Sequence, residues 1–462
     1  MFRLFKHYVP YPVLLLALFD FIVLFASAEV AWVLRAHQIG MGINSLFDRL
    51  PPLISFAFAL QLAMIAVGVY GVDAFQSLRF ASARLLVAIC LGVIFLSVTY
   101  FLIPGKTLWR SNSLYAMVIA YASLVMVRAL LGRLLGSEAF KRRVLVLGAG
   151  QRANRLTKLG AEKGAAFTVV GNIDMGDVVS VIPTAIPRAL IDNLVDHVAR
   201  LGANEVVLAL EERRNAIPME DLLRVRTIGV HVNEISTFLE RETGRVDLRS
   251  TNPSWLIFSD GFSSGRRLSS FAKRVFDIVA SGVLLLICLP LILVTAILIK
   301  LESRGPAFYR QNRVGLYGQE FTVVKLRSMR ANAEVAGQAV WAEKNDPRVT
   351  RIGRVIRRIR IDELPQLWTV LLGGMSFVGP RPERPSFVAE LTQQMPYYAE
   401  RHMVKPGITG WAQINYPYGA NLDDARHKLE YDLYYAKNYT PFLDVVILLQ
   451  TFRVVLFPDG AR

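Results

Sequence analysis

The adjacent carboxylates Asp362 and Glu363 open the run Asp362-Glu363-Leu364-Pro365-Gln366 near the C-terminal end of the chain. Such a pair suits a Mg2+ ion shared with a diphosphate, because that ion takes one or two protein oxygens and fills its shell from substrate and water. Cations crowd the same region. Arg310 and Arg313 lie in Tyr309-Arg310-Gln311-Asn312-Arg313-Val314-Gly315, Lys325 and Arg327 in Lys325-Leu326-Arg327-Ser328-Met329, and five of the ten residues 351–360, Arg358 among them, are arginine. Arg381 sits in Gly379-Pro380-Arg381-Pro382-Glu383, and Lys405 opens Lys405-Pro406-Gly407-Ile408-Thr409-Gly410-Trp411. Stiff backbone carrying one fixed charge is how loops clamp phosphates. The chemistry these residues suggest is that of phosphate esters. Asp362 has a structural reading too, as the N-cap of a helix over 364–371, with Pro365 tolerated in its first turn and Gly373-Gly374 ending it. The helix N-terminus would then concentrate positive potential where a phosphate could meet an ionised carboxylate.

Elements must hold these groups in place. Ile352, Val355, Ile356 and Ile359 recur at helical spacing, so the arginine run predicts an amphipathic helix, lying at a membrane surface or packed on a core. The composition argues for a membrane. Hydrophobic residues make up 53% and charged ones 19%, with mean hydropathy +0.37, too apolar for an ordinary cytosolic enzyme and too charged for a pure membrane bundle. Four apolar stretches, 13–34, 53–72, 85–103 and 114–135, can each cross a bilayer, for which about 20 residues suffice. Lys141-Arg142-Arg143 follows the fourth, against Arg35, Arg49, Lys106 and Arg110 in the opposite loops, which puts both ends of the bundle in the cytoplasm. No small-residue cleavage site follows the first run, so it reads as a retained helix. Asp20 and Glu29 interrupt it and are expected to face neighbouring helices or the interface.

Lysine plus arginine number 53 against 37 acids, a formal charge of +16 that suits anionic lipid, phosphate or nucleic acid. Nucleic-acid binding accounts for that charge and not for four crossings. The two cysteines, Cys90 and Cys288, build neither a disulfide framework nor a zinc cluster, and the six histidines lack metal-ligand spacing.

Short β-branched runs alternate with helical segments over 144–233 (VLVLG, FTVVGNI, EVVLAL, VHVN), which reads as a parallel α/β sheet. Its first turn, Gly148-Ala149-Gly150-Gln151-Arg152-Ala153, is a GxGxxA whose amides could hold a pyrophosphate, with Asp174 spaced for a ribose contact. Such turns also close unliganded domains, and a structural or regulatory role takes the larger share. A fifth apolar run, 278–299, carries Pro290 near its middle and cations at both ends, so it is expected to kink or break there and re-enter the face it came from, with a kinked spanning helix as the competing account. The apolar segment 442–457, with Asp444, Gln450 and Arg453 to one side, reads as an interfacial helix, with a buried core helix as the competing account. Tyr431, Tyr434 and Tyr435 read as packing residues or interface anchors.

These motifs carry a resemblance. KRVFD, FYRQNRVG, KLRSM, DPRVTRIGRVIRR, DELPQLWTVLLGGMSFVGPRP, KPGITGWAQ and KLEYDLYYAKNY stand in one order over residues 271–457. That segment resembles the catalytic domain of the bacterial sugar transferases, the monotopic polyprenyl-phosphate phosphoglycosyl transferases, and the whole chain resembles their large form. Leu326 stands where the family usually has Phe, and Leu289 where Ser commonly precedes the proline. The resemblance implies transfer of a sugar-1-phosphate from a UDP-sugar to undecaprenyl phosphate, releasing UMP and starting an exopolysaccharide, capsule or O-antigen. It implies Asp362 as nucleophile, Glu363 in Mg2+ binding or proton handling, and Arg327, Arg381 and Lys405 among the phosphate clamps, with Arg310, Arg313, Lys325 and Arg358 as the further candidates.

The expected architecture is a membrane protein of α + α/β class in the bacterial inner membrane. It comprises a four-helix transmembrane bundle (1–140), a Rossmann-like parallel α/β domain (141–242), a linker (243–270) and a mainly helical catalytic domain (271–462) on the cytoplasmic face, with a re-entrant helix at 275–300. A homodimer is left open, as are the sugar and the polymer. Nucleotide-sugar dehydratases need a Tyr-x-x-x-Lys pair, yet no tyrosine lies between Tyr121 and Tyr309. The remaining alternative, a non-catalytic scaffold or nucleotide-sugar sensor, gives no reason for Asp362 and Glu363 to stand among so many cations.

Overall fold

Long apolar runs free of turn residues have one economical way to satisfy their backbone, which is to form helices. The computed structural model describes every residue except 1, 5–6, 10, 41, 43–44, 71–77, 103–107, 135–140, 163–164, 213–216, 250–266, 331–347, 417–420 and 457–462. The chain divides into two compact units, Met1–Asn252 and Pro253–Arg462.

In the first unit a short antiparallel pair, β1 (Phe2–Leu4) and β2 (His7–Val9), precedes four helices, α1 (Tyr11–Gln38), α2 (Leu46–Val67), α3 (Leu78–Leu102) and α4 (Arg110–Leu134). Helix α1 packs on α2 and α4, α2 on α3, and α3 on α4. Each is long and apolar enough to cross a membrane. Helix α2 starts before its apolar run, capped by Ser45, and stops short of residue 72 because Gly68 takes the left-handed conformation that ends helices. Asp20 is fully buried: its carboxylate accepts from both Nη atoms of Arg128, at 2.9 and 2.6 Å, and from the Tyr70 hydroxyl at 2.9 Å. Glu29 pairs with Arg49. Both acids therefore face neighbouring helices, where pairing offsets the cost of charge among apolar groups.

Five strands follow as a parallel sheet in the order β5-β4-β3-β6-β7: β3 (Arg142–Leu147), β4 (Phe167–Asp174), β5 (Ile186–Pro187), β6 (Glu205–Leu208) and β7 (His231–Glu234). The two-residue edge strand β5 has no signal in the sequence. The central strand β3 is apolar at every inner position because both its faces are covered: Val144 and Val146 join one core cluster, Leu145 and Leu147 the other. Residues past 242 still belong here, since Val246 is buried and Asp247 pairs with Arg155. Most of the expected linker lies outside the described residues.

The second unit is mainly helical. Among the described residues it opens with one 36-residue helix, Arg267–Glu302, that stays helical through Pro290. The break expected at Pro290 is absent; the proline removes a backbone donor without ending the helix. Both ends of this helix are fastened to the same unit. At its start Lys273 donates to Asp444 Oδ2 at 2.6 Å, Arg274 donates to the carbonyls of Val370 and Leu371 at 2.8 Å each, and Asp277 accepts from the Phe377 N–H at 3.1 Å. At its end Ile292 and Ile299 pack with Leu326 and Ile356, and Glu302 accepts from the Arg351 N–H at 2.8 Å. Between these anchors Val283, Leu286 and Ile287 face outward.

The antiparallel hairpin β8 (Phe308–Val314) and β9 (Glu320–Leu326) comes next, then the arginine helix Arg351–Arg358, a single 3-10 turn Ile361–Glu363 and the helix Gln366–Leu372. Strands β10 (Ser376–Val378) and β11 (Gly407–Thr409) pair in parallel. One face of the helix Pro441–Leu456 packs into the core of this unit. Leu443 and Ile447 are fully buried, and Asp444 turns inward to Lys273 and the Tyr435 hydroxyl. Tyr434 and Tyr435 are buried as packing residues, Tyr434 stacked on Trp411.

Candidate active site

The β8–β9 hairpin alternates its side chains between two faces, as strands must. On one, Arg313 and Lys325 stand with Val323 beside a small open pocket that Gln366, Arg381 and Pro382 also line. On the other, Leu326 is buried against Ile292, Ile299 and Ile356. Arg310, three residues from Arg313, belongs to that second face and is exposed.

Glu363 is the hub on the pocket side. Its Oε1 accepts from Arg381 Nη2 at 3.0 Å and Lys325 Nζ at 3.2 Å, and Arg360 Nη1 approaches to 3.8 Å. Burial pushes the Glu363 carboxyl upward, yet the three cations outweigh it and hold the group far below the ordinary carboxylate range. The Lys325 ammonium is pushed down by burial, with Glu363 opposing. Asp362 behaves in the opposite sense. It is 9% exposed, burial and then Glu363 raise its pKa, and Lys325, Arg357 and Arg360 only partly offset them. Oδ1 of Asp362 is buried without a hydrogen-bond partner among the described residues. Asp362 is no N-cap: it sits inside the 3-10 turn, Arg360 before it takes a left-handed φ of 60°, and the following helix begins only at Gln366. Two neighbouring carboxylates, one locked by cations and one left raised and unpartnered, form the divergent pair that acid, base or nucleophile chemistry uses.

The cations divide sharply. Arg313, Lys325 and Arg381 are gathered at the pocket. Arg327 is not, since it donates to the carbonyls of Ser303 and Arg304 at 2.8 and 2.9 Å, capping the end of the long helix. Arg358 is exposed, and its helix turns Arg357, with Arg360 beyond it, toward Asp362 instead. Lys405 stands among Lys273, Arg274 and Asp277 at the start of the long helix. Arg357, Arg360 and Gln366 are thus site residues that sequence reading passed over, as is a buried pair: Arg401 donates to Asp432 at 2.7 Å and to the Arg381 carbonyl at 2.9 Å, fixing the loop that presents Arg381.

The two glycine-proline turns interlock backbone to backbone. A Cβ on Gly407 would stand 2.1 Å from Gly379 N, and one on Gly379 would stand 2.1 Å from the Lys405 carbonyl oxygen. Gly407→Ala is expected to separate β10 from β11 and cost at least about 3 kcal/mol, the scale of severe overpacking; a thermal melt of the purified variant checks it.

The bacterial sugar transferase model matches residues 268–458. An N-acetylgalactosaminephosphotransferase of Aeromonas hydrophila acting on UDP-N-acetylgalactosamine and undecaprenyl phosphate is 46% identical over 232 residues, 50% of this chain and 53% of the relative. The undecaprenyl-phosphate glucose phosphotransferase of Komagataeibacter xylinus is 35% identical over 69% of this chain and 60% of its own length. The undecaprenyl-phosphate galactose phosphotransferase of Salmonella typhimurium is 32% identical over 77% of this chain and 76% of its own length. The chain belongs to the bacterial sugar transferase family. It spans 53% and 60% of the first two of these relatives. In this member of the sugar transferase family the pocket, Asp362, Glu363 and their cations all lie within the matched segment.

Proposed function

We propose that this chain transfers a sugar-1-phosphate from a UDP-sugar to undecaprenyl phosphate. The observation that carries the reading is the buried, unpartnered Asp362 Oδ1 beside a pocket of three cations. In the first step Asp362 Oδ1 bonds to the sugar-bearing phosphorus, and the phosphorus–oxygen bond to UMP breaks. In the second an oxygen of the lipid phosphate bonds to that phosphorus, and the carboxylate is returned. Arg313, Lys325 and Arg381 face the diphosphate and oppose charge that grows on the leaving oxygen. Glu363 stays ionised throughout; it anchors Lys325 and Arg381 and moves no proton.

Mg2+ fits the donor chemistry here. Asp362 and Glu363 would hold the ion, whose remaining shell would come from diphosphate and water, and when bound it neutralises phosphate charge. A panel of UDP-sugars with undecaprenyl phosphate, with and without Mg2+, tests the reading through UMP release. Absence of UMP with every sugar in the panel would remove it in favour of the scaffold.

The second substrate is a lipid whose phosphate lies at the membrane–water boundary, so the site must rest there. Two features support this placement. Both ends of the long apolar helix dock on one folded unit, which supports reading it as a helix that returns to its own face. Val355, Ile359, Trp368 and Leu372 are exposed beside the arginines of the site, a pattern suited to an anionic interface. Single cysteines at Ser270 and Arg304, in a background without Cys90 and Cys288, are expected to react with an impermeant maleimide from the cytoplasmic face alone. Labelling of one from each face replaces re-entry with a span. The parallel sheet, with its order β5-β4-β3-β6-β7, is read as a Rossmann-like domain.

A further inference from the structure

The proposed reaction assigns no role to the glycine turn of the α/β domain. Gly148-Ala149-Gly150 leaves β3 and enters the helix Gln151–Ala161, whose first amides and dipole attract an anion. In dinucleotide domains that anion is a pyrophosphate, admitted because the second glycine leaves its approach open. Here the approach is filled from within. The Glu211 carboxylate accepts from the Arg152 backbone N–H at 2.8 Å, and its second oxygen lies 3.3 Å from Arg152 Nε. A Cβ on Gly150 would stand 2.8 Å from Glu211 Cγ and 2.9 Å from Val178 Cγ2.

A strap closes over the turn as well. Val181 N–H donates to the Ala149 carbonyl at 2.8 Å, Asp177 Oδ2 accepts from the Glu211 N–H at 2.8 Å, and Ile182 is buried in the core with Val144, Val146 and Ala153. Asp174, the acid spaced for a ribose, accepts from the Gly176 N–H at 2.9 Å. Gly148 is explained without a ligand: at φ +132° a side chain is strained, and its Cβ would meet the Ala209 carbonyl oxygen at 2.5 Å.

We infer that the anion bound at this turn is the chain's own Glu211 carboxylate, and that the α/β domain is a self-closed module that carries no dinucleotide. A pyrophosphate could enter only by displacing Glu211, lifting residues 177–182 and exposing Ile182. The tethered carboxylate competes intramolecularly, at an effective concentration that free ligand does not match. The GxGxxA spacing persists because the chain itself needs both glycines.

Hydrogen exchange on the full-length protein in detergent, read by mass spectrometry, tests this. With NAD+ or ADP-ribose at millimolar concentration, the peptides covering 148–153 and 177–182 are expected to exchange as in buffer. Glu211→Ala is expected to raise exchange in both segments together by about tenfold, the loss of one charge-assisted hydrogen bond. Glu211→Gln, which keeps an acceptor at the same position, is expected to raise it less. Saturable protection of 148–153 by either nucleotide in the unmodified protein overturns the inference. So does unchanged exchange of both segments in Glu211→Ala.

Discussion

Asp362→Asn is expected to abolish UMP release, with a loss of at least about 1000-fold, the scale seen when a covalent nucleophile is removed. The amide cannot form the acyl-phosphate linkage, so no mass adduct is expected on the peptide bearing residue 362 after quenching. The unmodified enzyme, starved of lipid acceptor, is expected to accumulate that adduct with one UMP released per adduct. Near-normal turnover by the variant would falsify the assignment. The pH dependence has a defined sign. Burial and Glu363 raise the Asp362 pKa, so its reactive, ionised fraction grows with pH and is lost on acidification earlier than for an exposed aspartate. The same shift bears on stability. A carboxyl that binds its proton more tightly when folded costs stability as pH rises from the unfolded pKa through the folded one. Asp362→Asn is therefore expected to melt at or above the parent temperature at neutral pH, which separates lost chemistry from lost fold.

Glu363→Gln is expected to act in the opposite way, on structure as much as on rate. Lys325 and Arg381 both donate to one oxygen of Glu363, and the amide leaves their charges uncompensated in a partly buried site. Removing one member of a buried charge pair costs about 3–5 kcal/mol. The lower end applies here, because the Arg381 side chain is 35% exposed and water screens part of its charge. A thermal midpoint lower by on the order of 10 °C follows for a unit of this size. The sign with pH is also fixed. The folded-state pKa of Glu363 is depressed, so its stabilisation is present above the pKa of an unfolded glutamate and fades as pH falls toward the folded value. The gap between parent and variant should therefore close on acidification. Activity falls too, because the cations lose their anchor, and Lys325→Ala in the same background restores part of the stability. Equal melts for parent and Glu363→Gln at pH 7 would sink the anchoring role.

Periodicity carried much of the architecture. The apolar runs announce α1 to α4, and the alternation of β-branched strands with helices announces the parallel sheet, because burial of one face or of both imposes a repeat that a single chain displays. The family motifs likewise mark the segment that holds Asp362 and Glu363. Tertiary structure decided which of the neighbouring cations face those acids. Arg310 and Arg313 look equivalent in a string, but three residues along a strand is an odd number, which turns one to the pocket and the other to solvent. Arg327 is drawn off by helix carbonyls far away in sequence, and Asp444 by Lys273 at the start of the long helix. Glu211 fills the very seat that the glycine spacing advertises for a nucleotide. A repeat reports the environment averaged along one element, whereas a hydrogen bond depends on which two elements meet. Only the folded chain supplies that second fact.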